Sequence, residues 1–590
     1  MPHGSPGESA ELDQRTGLPQ GASAKVESFG QRAAGSGQRA AGSGQRTVLL
    51  AVRSAGALHR LLDALPVFEG DTRITTRFTL VPGSEFDLDA LAALERSGAR
   101  CLSWEEACRR PHDLVLSASP KGALWALSGP RVLLPHGAGF NKAISGEGSP
   151  RIPSGLDPHY LLADGEPLAA LHALAHGDQL ARLTESCPPA AARATVVGDP
   201  TLDRLLRSLT ARDSHRAALG TGERRLIVMT STWGPESLLA RRPELPLALL
   251  TALPVDAYQF GLVLHPNEFS RTGSFDLSRQ LAPALRAGLL LARPHEEWAA
   301  LLVAADAVIT DHGSTALYAA AAGRPVIGAY DGGSELMAGS PMAGLLARAP
   351  RLTGPASLPE ALEAARATDV RASADAAFAL PGRSLPHLRR ELYRLLGLRS
   401  RAVPVAPHPF PLPTTTPQQP TALAVRAQPA GRRIVIERFP CDTSSAVHHL
   451  AAAYPQAGPR QLQSAAVLWT RADPDARAPH ASSWTAAGWT ARILDEAPGC
   501  RTAAAILTSE RCLLRHRRAG LLSLRIESCR ADGRVRRVDP AAVVSAVHAW
   551  LGANPGWVPP ASASLSCELG PLTVQVELAE ADEEDLDYEL

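Results

Sequence analysis

Lysine is almost missing from this chain of 590 residues: Lys25, Lys121 and Lys142 are the only three, and arginine supplies every other fixed cation. Any step that needs an ammonium group therefore has three candidates. Net charge is missing too. Sixty basic and 59 acidic side chains leave +1, which removes any global pull toward nucleic acid or an anionic membrane. Cysteine is sparse, at eight residues, with no C-x-x-C pair and no Cys/His grouping at zinc spacing. Buried reduced thiols are expected rather than a metal centre or a disulfide framework. No run of about 18 apolar residues offers a membrane-spanning helix, and the first residues lack the basic-then-apolar pattern of a signal peptide. The expected location is the cytoplasm. What remains is ordinary soluble composition, 45% hydrophobic and 20% charged, in a chain long enough for three or four domains.

Residues 1–46 carry Gly, Ser, Ala, Gln and Arg, with Gly-Gln-Arg-Ala-Ala-Gly-Ser repeated at Gly30–Ser36 and Gly37–Ser43. Such a tract has too little apolar surface to offset its ordering entropy and is expected to be disordered. From Thr47 apolar runs alternate with helical spacing, predicting strands at 47–52, 77–81, 114–117 and 131–134. This reads as a first Rossmann-like domain over 47–205. The pattern resumes near Arg224, with strands expected at 226–230, 259–264, 288–292, 307–310 and 325–329, and gives a second such domain over 206–398. The predicted fold class is α/β, two Rossmann-like domains facing a cleft. A proline-rich linker follows over 399–431, then an α+β domain over 432–580, with strands expected at 433–439, 465–469, 504–507, 521–528 and 572–578 and a helix at 540–551. An acidic tail over 581–590 is expected to fray into solvent.

In open α/β sheets ligands sit beyond the carboxyl ends of the strands. Three polar clusters fall there: Pro135-His136-Gly137, His265-Pro266-Asn267 and Asp311-His312-Gly313-Ser314-Thr315. Gly313 lets backbone approach an anion closely. Ser314 and Thr315 open a helix whose free N–H groups suit a phosphate, although Ser314 equally suits a simple N-cap.

The segment from Asp306 to Thr315, followed by Ala322-Gly323-Arg324-Pro325-Val326-Ile327, resembles the nucleotide-side signature of GT-B fold transferases. It is most similar to the CDP-glycerol glycerophosphotransferase family of teichoic-acid polymerases. Leu134-Pro135-His136-Gly137, the stretch from Val197 to Asp203, Thr230-Ser231-Thr232-Trp233-Gly234 and Leu264-His265-Pro266 resemble further family blocks in the right order, across residues 47–398. The resemblance implies a GT-B type pair of domains that moves a glycerophosphate, alditol-phosphate or sugar group from a nucleotide-diphosphate donor to a hydroxyl acceptor. It implies His136 as the base, and His265 with Ser314 and Thr315 on the donor's pyrophosphate. Gly137, Lys142, Thr232, Asp311 and Gly313 would complete the binding surface, with Asp331 on a ribose or substrate hydroxyl. The donor is a substrate, so no cofactor and no metal is expected, and the acceptor is unidentified, a cell-envelope precursor being one class. The chain departs from the family where Asp311-His312-Gly313-Ser314-Thr315 replaces Asp-Tyr-Ser-Ser.

Two other readings share the pattern: a UDP-sugar 2-epimerase-like enzyme, and a non-catalytic GT-B scaffold that senses nucleotides or serves as an interaction platform. A GTPase is excluded. The Asp311–Thr315 stretch lacks the phosphate-gripping lysine of a P-loop, and the loop's first glycine would fall on Val308.

Overall fold

A computed structural model describes residues 44–84, 87–135, 137–143, 149, 152–295, 297–330, 333–401, 403–441, 447–472, 482–559 and 561–590. His136 and Asp331 lie outside the described residues, as does the repeat tract at 30–43.

Short apolar runs between turns become the central strands. Strand β1 (Arg46–Val52) is flanked by β2 (Ile74–Leu80) and β4 (Leu114–Ser117). With β3 (Cys101–Leu102), β5 (Arg131–Leu133), β6 (Leu171–Leu174) and β7 (Ala194–Val196) they form a seven-stranded parallel sheet in the order 3-2-1-4-5-6-7. A second parallel sheet holds β8 (Arg225–Ser231), β9 (Tyr258–Leu264), β10 (Leu290–Leu291), β11 (Ala307–Thr310) and β12 (Val326–Gly328), in the order 10-9-8-11-12. Both have the doubly wound order, strand order reversing beside the first strand of each half, that places a crevice at the carboxyl edge.

The two sheets are joined through the Val197–Asp203 stretch. Gly198 adopts φ +87° and sits so close to Ala379 and Ser384 that an added Cβ would stand 2.9 Å from the Ala379 carbonyl oxygen. Asp199 caps helix α1 (Pro200–Ser208) by accepting from the Leu202 amide at 2.8 Å. Asp203 accepts from the Gly382 amide at 2.5 Å and the Ser384 amide at 2.8 Å. These bonds start helix α2 (Ser384–Leu396), which packs Leu385, Leu388, Leu392, Tyr393 and Leu396 into the core of the first sheet although it follows the second in sequence.

The C-terminal region combines strands and helices as expected, and its main sheet is not open: nine strands close into a barrel. Its strands are β13 (Ala422–Ala430), β14 (Arg433–Pro440), β15 (His449–Ala453), β16 (Val467–Arg471), β17 (Thr502–Ile506), β18 (Arg511–His516), β19 (Gly520–Ile526), β20 (Ala563–Leu569) and β21 (Leu572–Glu580). Around the barrel the order is 13-14-20-21-19-18-17-16-15, closed by the antiparallel pair β13 and β15. Helix α3 (Pro540–Ala553) is buried on every face from Pro540 to Leu551 and touches strands on opposite sides, so it fills the interior. Closure removes the sheet edges, and a helix apolar on every face except for Ser545 and His548 supplies the core. The acidic tail does not fray either. Asp585 is fully buried, accepting from Arg511 Nε at 3.0 Å and Ser523 Oγ at 2.6 Å, and Leu590 N–H donates to Trp484 O at 3.0 Å.

The proline-rich stretch is a strap. Its last residues, Ala422–Ala430, already form β13. Phe410 is buried in the core of the second half, its amide donating to Ser208 Oγ at 2.8 Å. The buried Glu297 carboxylate accepts from the Thr414 amide at 3.0 Å and the Thr415 hydroxyl at 2.5 Å. Burial raises the Glu297 pKa, but the Thr415 and Thr414 hydrogen bonds outweigh it and hold the carboxyl down to about 2.

Candidate active site

The carboxyl ends of both sheets open on one cleft of about 560 Å³. From the first half come Arg53 and Ser54 after β1, Ser119 and Lys121 after β4, and Gly137 to Lys142 after β5. From the second come Thr232 and Trp233 after β8, His265 after β9, Arg293 and His295 after β10, and Asp311 to Thr315 after β11. Of the sequence-predicted site residues, Gly137, Lys142, Thr232, His265, Asp311, Gly313, Ser314 and Thr315 all line this single volume. His136 and Asp331 belong to the residues not described.

Asp311 is fully buried at the root of its loop. One oxygen accepts from the Thr232 and Leu238 amides, each at 2.8 Å, and the other from the Gly313 amide at 2.8 Å. Its carboxylate thus ties the end of β8 to the end of β11 and shapes the loop from within. Desolvation pushes its pKa up, against the nearby His312 and those three amides. Gly313 stands where an added Cβ would lie 3.0 Å from Asp311 Oδ1 and 3.4 Å from Thr232 Cβ, so any side chain there would push on the buried carboxylate.

Ser314 precedes helix Thr315–Ala321, yet its side chain accepts no capping hydrogen bond. It lies instead against the first half, its Oγ 3.4 Å from where a Cβ on Gly137 would stand. By contrast, Ser54 and Ser340 accept from the amides of Ala57 and Ala343, each at 3.2 Å, as ordinary N-caps. His265 caps the helix Pro266–Thr272, its Nδ1 accepting from the Asn267 amide at 3.1 Å. An amide only donates, so the neutral ring carries its proton on Nε2. Trp233 stands beside it, ring centroids 6.4 Å apart.

His312 belongs to the polar cluster expected after β11, but its partners and several other residues around the cleft gave no sequence signal. His312, buried, bonds Tyr330 OH through Nδ1 at 3.1 Å and Glu335 Oε2 through Nε2 at 3.2 Å. Glu335 in turn pairs with Lys142 Nζ at 3.5 Å, and Lys142 lies 5.0 Å from the Trp233 ring centre. His59 of the first half stacks on His295 of the second, centroids 4.3 Å apart. Burial, then the charges of Arg204, Arg96 and Arg60, lower the His59 pKa to about 4. Deeper in, Arg60 donates to Tyr318 OH at 2.7 Å, and Tyr318 OH donates to Asp199 Oδ2 at 2.8 Å. Asp63 accepts from Arg204 Nη1 at 2.9 Å and Thr201 Oγ1 at 2.5 Å. Each of these pairs joins residues far apart in sequence, which no local spacing announces.

Among the described residues no three His, Cys, Asp or Glu side chains group to hold a metal ion, and no helix is long and apolar enough to cross a membrane.

The sequence matches no protein-family model and no curated protein. Solved structures do match. The chain is similar to the wall teichoic acid polymerase TagF at 12% identity, over 60% of this chain and 89% of that one, with a TM-score of 0.42. It is similar to Anabaena HepE in complex with UDP and glucose at 14% identity, over 60% and 100%, with a TM-score of 0.36. A third is the UDP-GlcNAc 2-epimerase of Neisseria meningitidis bound to UDP-GlcNAc, at 14% identity over 59% and 99%, with a TM-score of 0.37. Identities and scores this low carry nothing about activity. The two parallel Rossmann-like sheets that meet at a cleft fit the GT-B arrangement on their own strand order.

Proposed function

We propose that the cleft binds a nucleotide-diphosphate-linked donor and transfers its glycerophosphate, alditol-phosphate or sugar group to a hydroxyl acceptor. The observation that carries this reading is the convergence of strand ends from both sheets on one volume. A donor held by one half then meets an acceptor held by the other, and bringing two reactants into contact is where much of the rate of a group transfer arises.

The donor side is the second half. His265, with its proton on Nε2, presents an N–H toward an anionic oxygen, and Ser314 keeps a hydroxyl that its own helix does not use. His265 is oriented by that bond before a substrate arrives, so it stabilises charge on the departing diphosphate or monophosphate with little reorganisation, and Ser314 adds its hydroxyl beside it. The acceptor oxygen forms the new bond to the sugar carbon or the phosphorus, the bond to the nucleotide's leaving oxygen breaks, and the hydroxyl proton passes to a base. The resemblance assigns that base to His136, whose neutral imidazole suits the task.

An epimerase would need a free carboxylate to take up a carbon-bound proton. Among the described residues the carboxylates that line the cleft, Asp63 and Asp311, are both engaged, by Arg204 and Thr201 and by three backbone amides. That favours transfer.

The test is a thermal-shift series with CDP-, UDP- and GDP-linked compounds, followed by slow donor hydrolysis. One nucleotide series should raise the melting temperature. His265→Ala should weaken that shift, and His136→Ala should leave the shift while abolishing hydrolysis. If no nucleotide-linked compound moves the melting temperature, the reading fails.

A further inference from the structure

The loop after β5 and the segment after β12 are zipped together across the cleft. The Ala143 amide donates to Glu335 O at 3.0 Å, the Met337 amide to Asn141 O at 2.8 Å, and Lys142 and Leu336 form an isolated antiparallel bridge. The buried Asn141 side chain adds a bond, its Oδ1 accepting from the Met342 amide at 3.2 Å. This is a two-strand contact made by loops of opposite halves, so whatever separates the halves must break it.

At its centre sits Glu335. Its carboxylate bonds the buried His312 of the second half and pairs with Lys142 of the first. His312 is fixed from its other side by Tyr330. Burial raises the pKa of Glu335, but the His312 hydrogen bond and the Lys142 charge outweigh it and leave it lowered. The anion is therefore held rigidly by one half while it binds the cation of the other. Lys142 is the lysine of the Gly137–Ala143 loop, and it also lines the cleft beside Trp233.

We infer that Glu335 is an interdomain latch: it holds the Gly137–Ala143 loop closed through Lys142, and a substrate phosphate releases it by competing for that ammonium. The inference rests on the reading of the cleft as a donor site but adds a positioning residue and a coupling to it. A lysine ammonium is a compact point charge that pairs with a phosphate as well as with a carboxylate, so the two anions compete for it. Because the carboxylate is tied to His312, it stays behind when the ammonium turns to the new anion. Linkage then requires reciprocity: the phosphate that loosens the latch binds better when the latch is already broken.

The experiment uses the full chain with inorganic pyrophosphate as the probe, reading hydrogen exchange at the Ala143 and Met337 amides together with pyrophosphate affinity. In the wild type, pyrophosphate should speed exchange at both amides by roughly tenfold, within the range of coupling between sites. Glu335→Gln should exchange fast without pyrophosphate and bind it about five-fold or more tighter. Glu335→Asp should move both readouts partway back. Lys142→Met should exchange fast and respond to no anion, and an unchanged melting temperature would separate that from misfolding. Equal pyrophosphate affinity in wild type and Glu335→Gln, or exchange that pyrophosphate leaves unchanged, overturns the latch. Failure of the donor reading shows elsewhere, as a normal pyrophosphate response without any shift or turnover of a nucleotide-linked compound.

Discussion

The cleft and the barrel both collect polar groups, and they treat them in opposite ways. In the cleft, loops from two sheets hold His265, Ser314 and Lys142 around a volume of about 560 Å³ that the chain leaves open. In the barrel, the corresponding space is filled by helix α3, and four histidines crowd one another there: His449 and His548 have ring centroids 4.7 Å apart, and His448 and His516 lie within 6.2 Å of His548. The lesson is that clustered histidines do not by themselves make a site. What separates the two regions is whether the architecture reserves room for a ligand.

The sharpest way to break this contrast is to open the barrel. Trp550 of α3 is buried and donates through Nε1 to Gly431 O at 2.9 Å. Trp550→Ala should cost about 3–5 kcal/mol, the usual range for emptying a large aromatic site, read by chemical denaturation. A nucleotide-induced melting shift in the cleft should survive at temperatures where the protein remains folded. If the shift disappears as well, the two regions are not independent.

On the cleft side the largest stability effect belongs to Asp311. Asp311→Ala leaves the buried amides of Thr232, Leu238 and Gly313 without their acceptor. At about 1–3 kcal/mol for an orphaned buried donor, with relaxation of the loop, a net loss on the order of 3 kcal/mol is expected. Binding of the donor should fall with it, because the same bonds shape the Gly313–Thr315 loop. A stable variant with unchanged nucleotide binding would show that the loop holds its form without the carboxylate.

These two residues also show what local sequence can reveal. Strands β8, β9 and β11 fall within one or two residues of their expected places, because parallel strands buried on both faces are continuous apolar runs. Five barrel strands and α3 were also legible, but the closure of the barrel hid for the converse reason. Its first strand, Ala422–Ala430, is rich in alanine and includes Pro429, and β20, Ala563–Leu569, alternates serine with apolar residues. Helix α3 is the exception, expected at 540–551 and observed over Pro540–Ala553. The eight predicted site residues that are described line one cleft because strand ends are marked by the chain itself. Glu335, His59 and His295 were illegible, as were the partners of His312, since their meaning lies in contacts distant in sequence. The tail misled because its charge suggested a solvated end, whereas Arg511 and Ser523 wait for Asp585 in the fold.

Acid should strike the barrel through its histidines. Burial, followed by the neighbouring charges of His548 and His448, lowers His449 to about 2. Burial with His516, His448 and Arg501 lowers His548 to about 4, and burial with Arg518 and Arg501 lowers His516 to about 4. The unfolded chain therefore binds more protons than the folded one below about pH 6.5, so stability falls as pH falls through that value. The loss continues down to about pH 4, where His516 and His548 charge in the folded state as well. The slope should approach about 1.4 kcal/mol per pH unit for each histidine that stays neutral. Denaturation midpoints at pH 7, 6 and 5 would measure it, and His548→Asn should flatten the dependence. A curve that is level across this window would mean the cluster is solvated.

The smallest change separates a structural serine from a ligand-facing one. Ser340 accepts from the Ala343 amide at 3.2 Å and is buried, so Ser340→Ala should cost about 1 kcal/mol of stability and leave nucleotide affinity alone. Ser314 occupies the same place on its own helix but makes no capping bond. Ser314→Ala should therefore cost less than about 0.5 kcal/mol, the level of substitutions that remove no structural bond, while weakening donor binding by roughly tenfold, as loss of a hydrogen bond to a charged group does. Unfolding curves and a nucleotide titration on the two variants give the four numbers needed. If Ser314→Ala lowers stability as much as Ser340→Ala and leaves affinity unchanged, the hydroxyl serves the helix, and the cleft loses the feature that most distinguishes it from a packed interface.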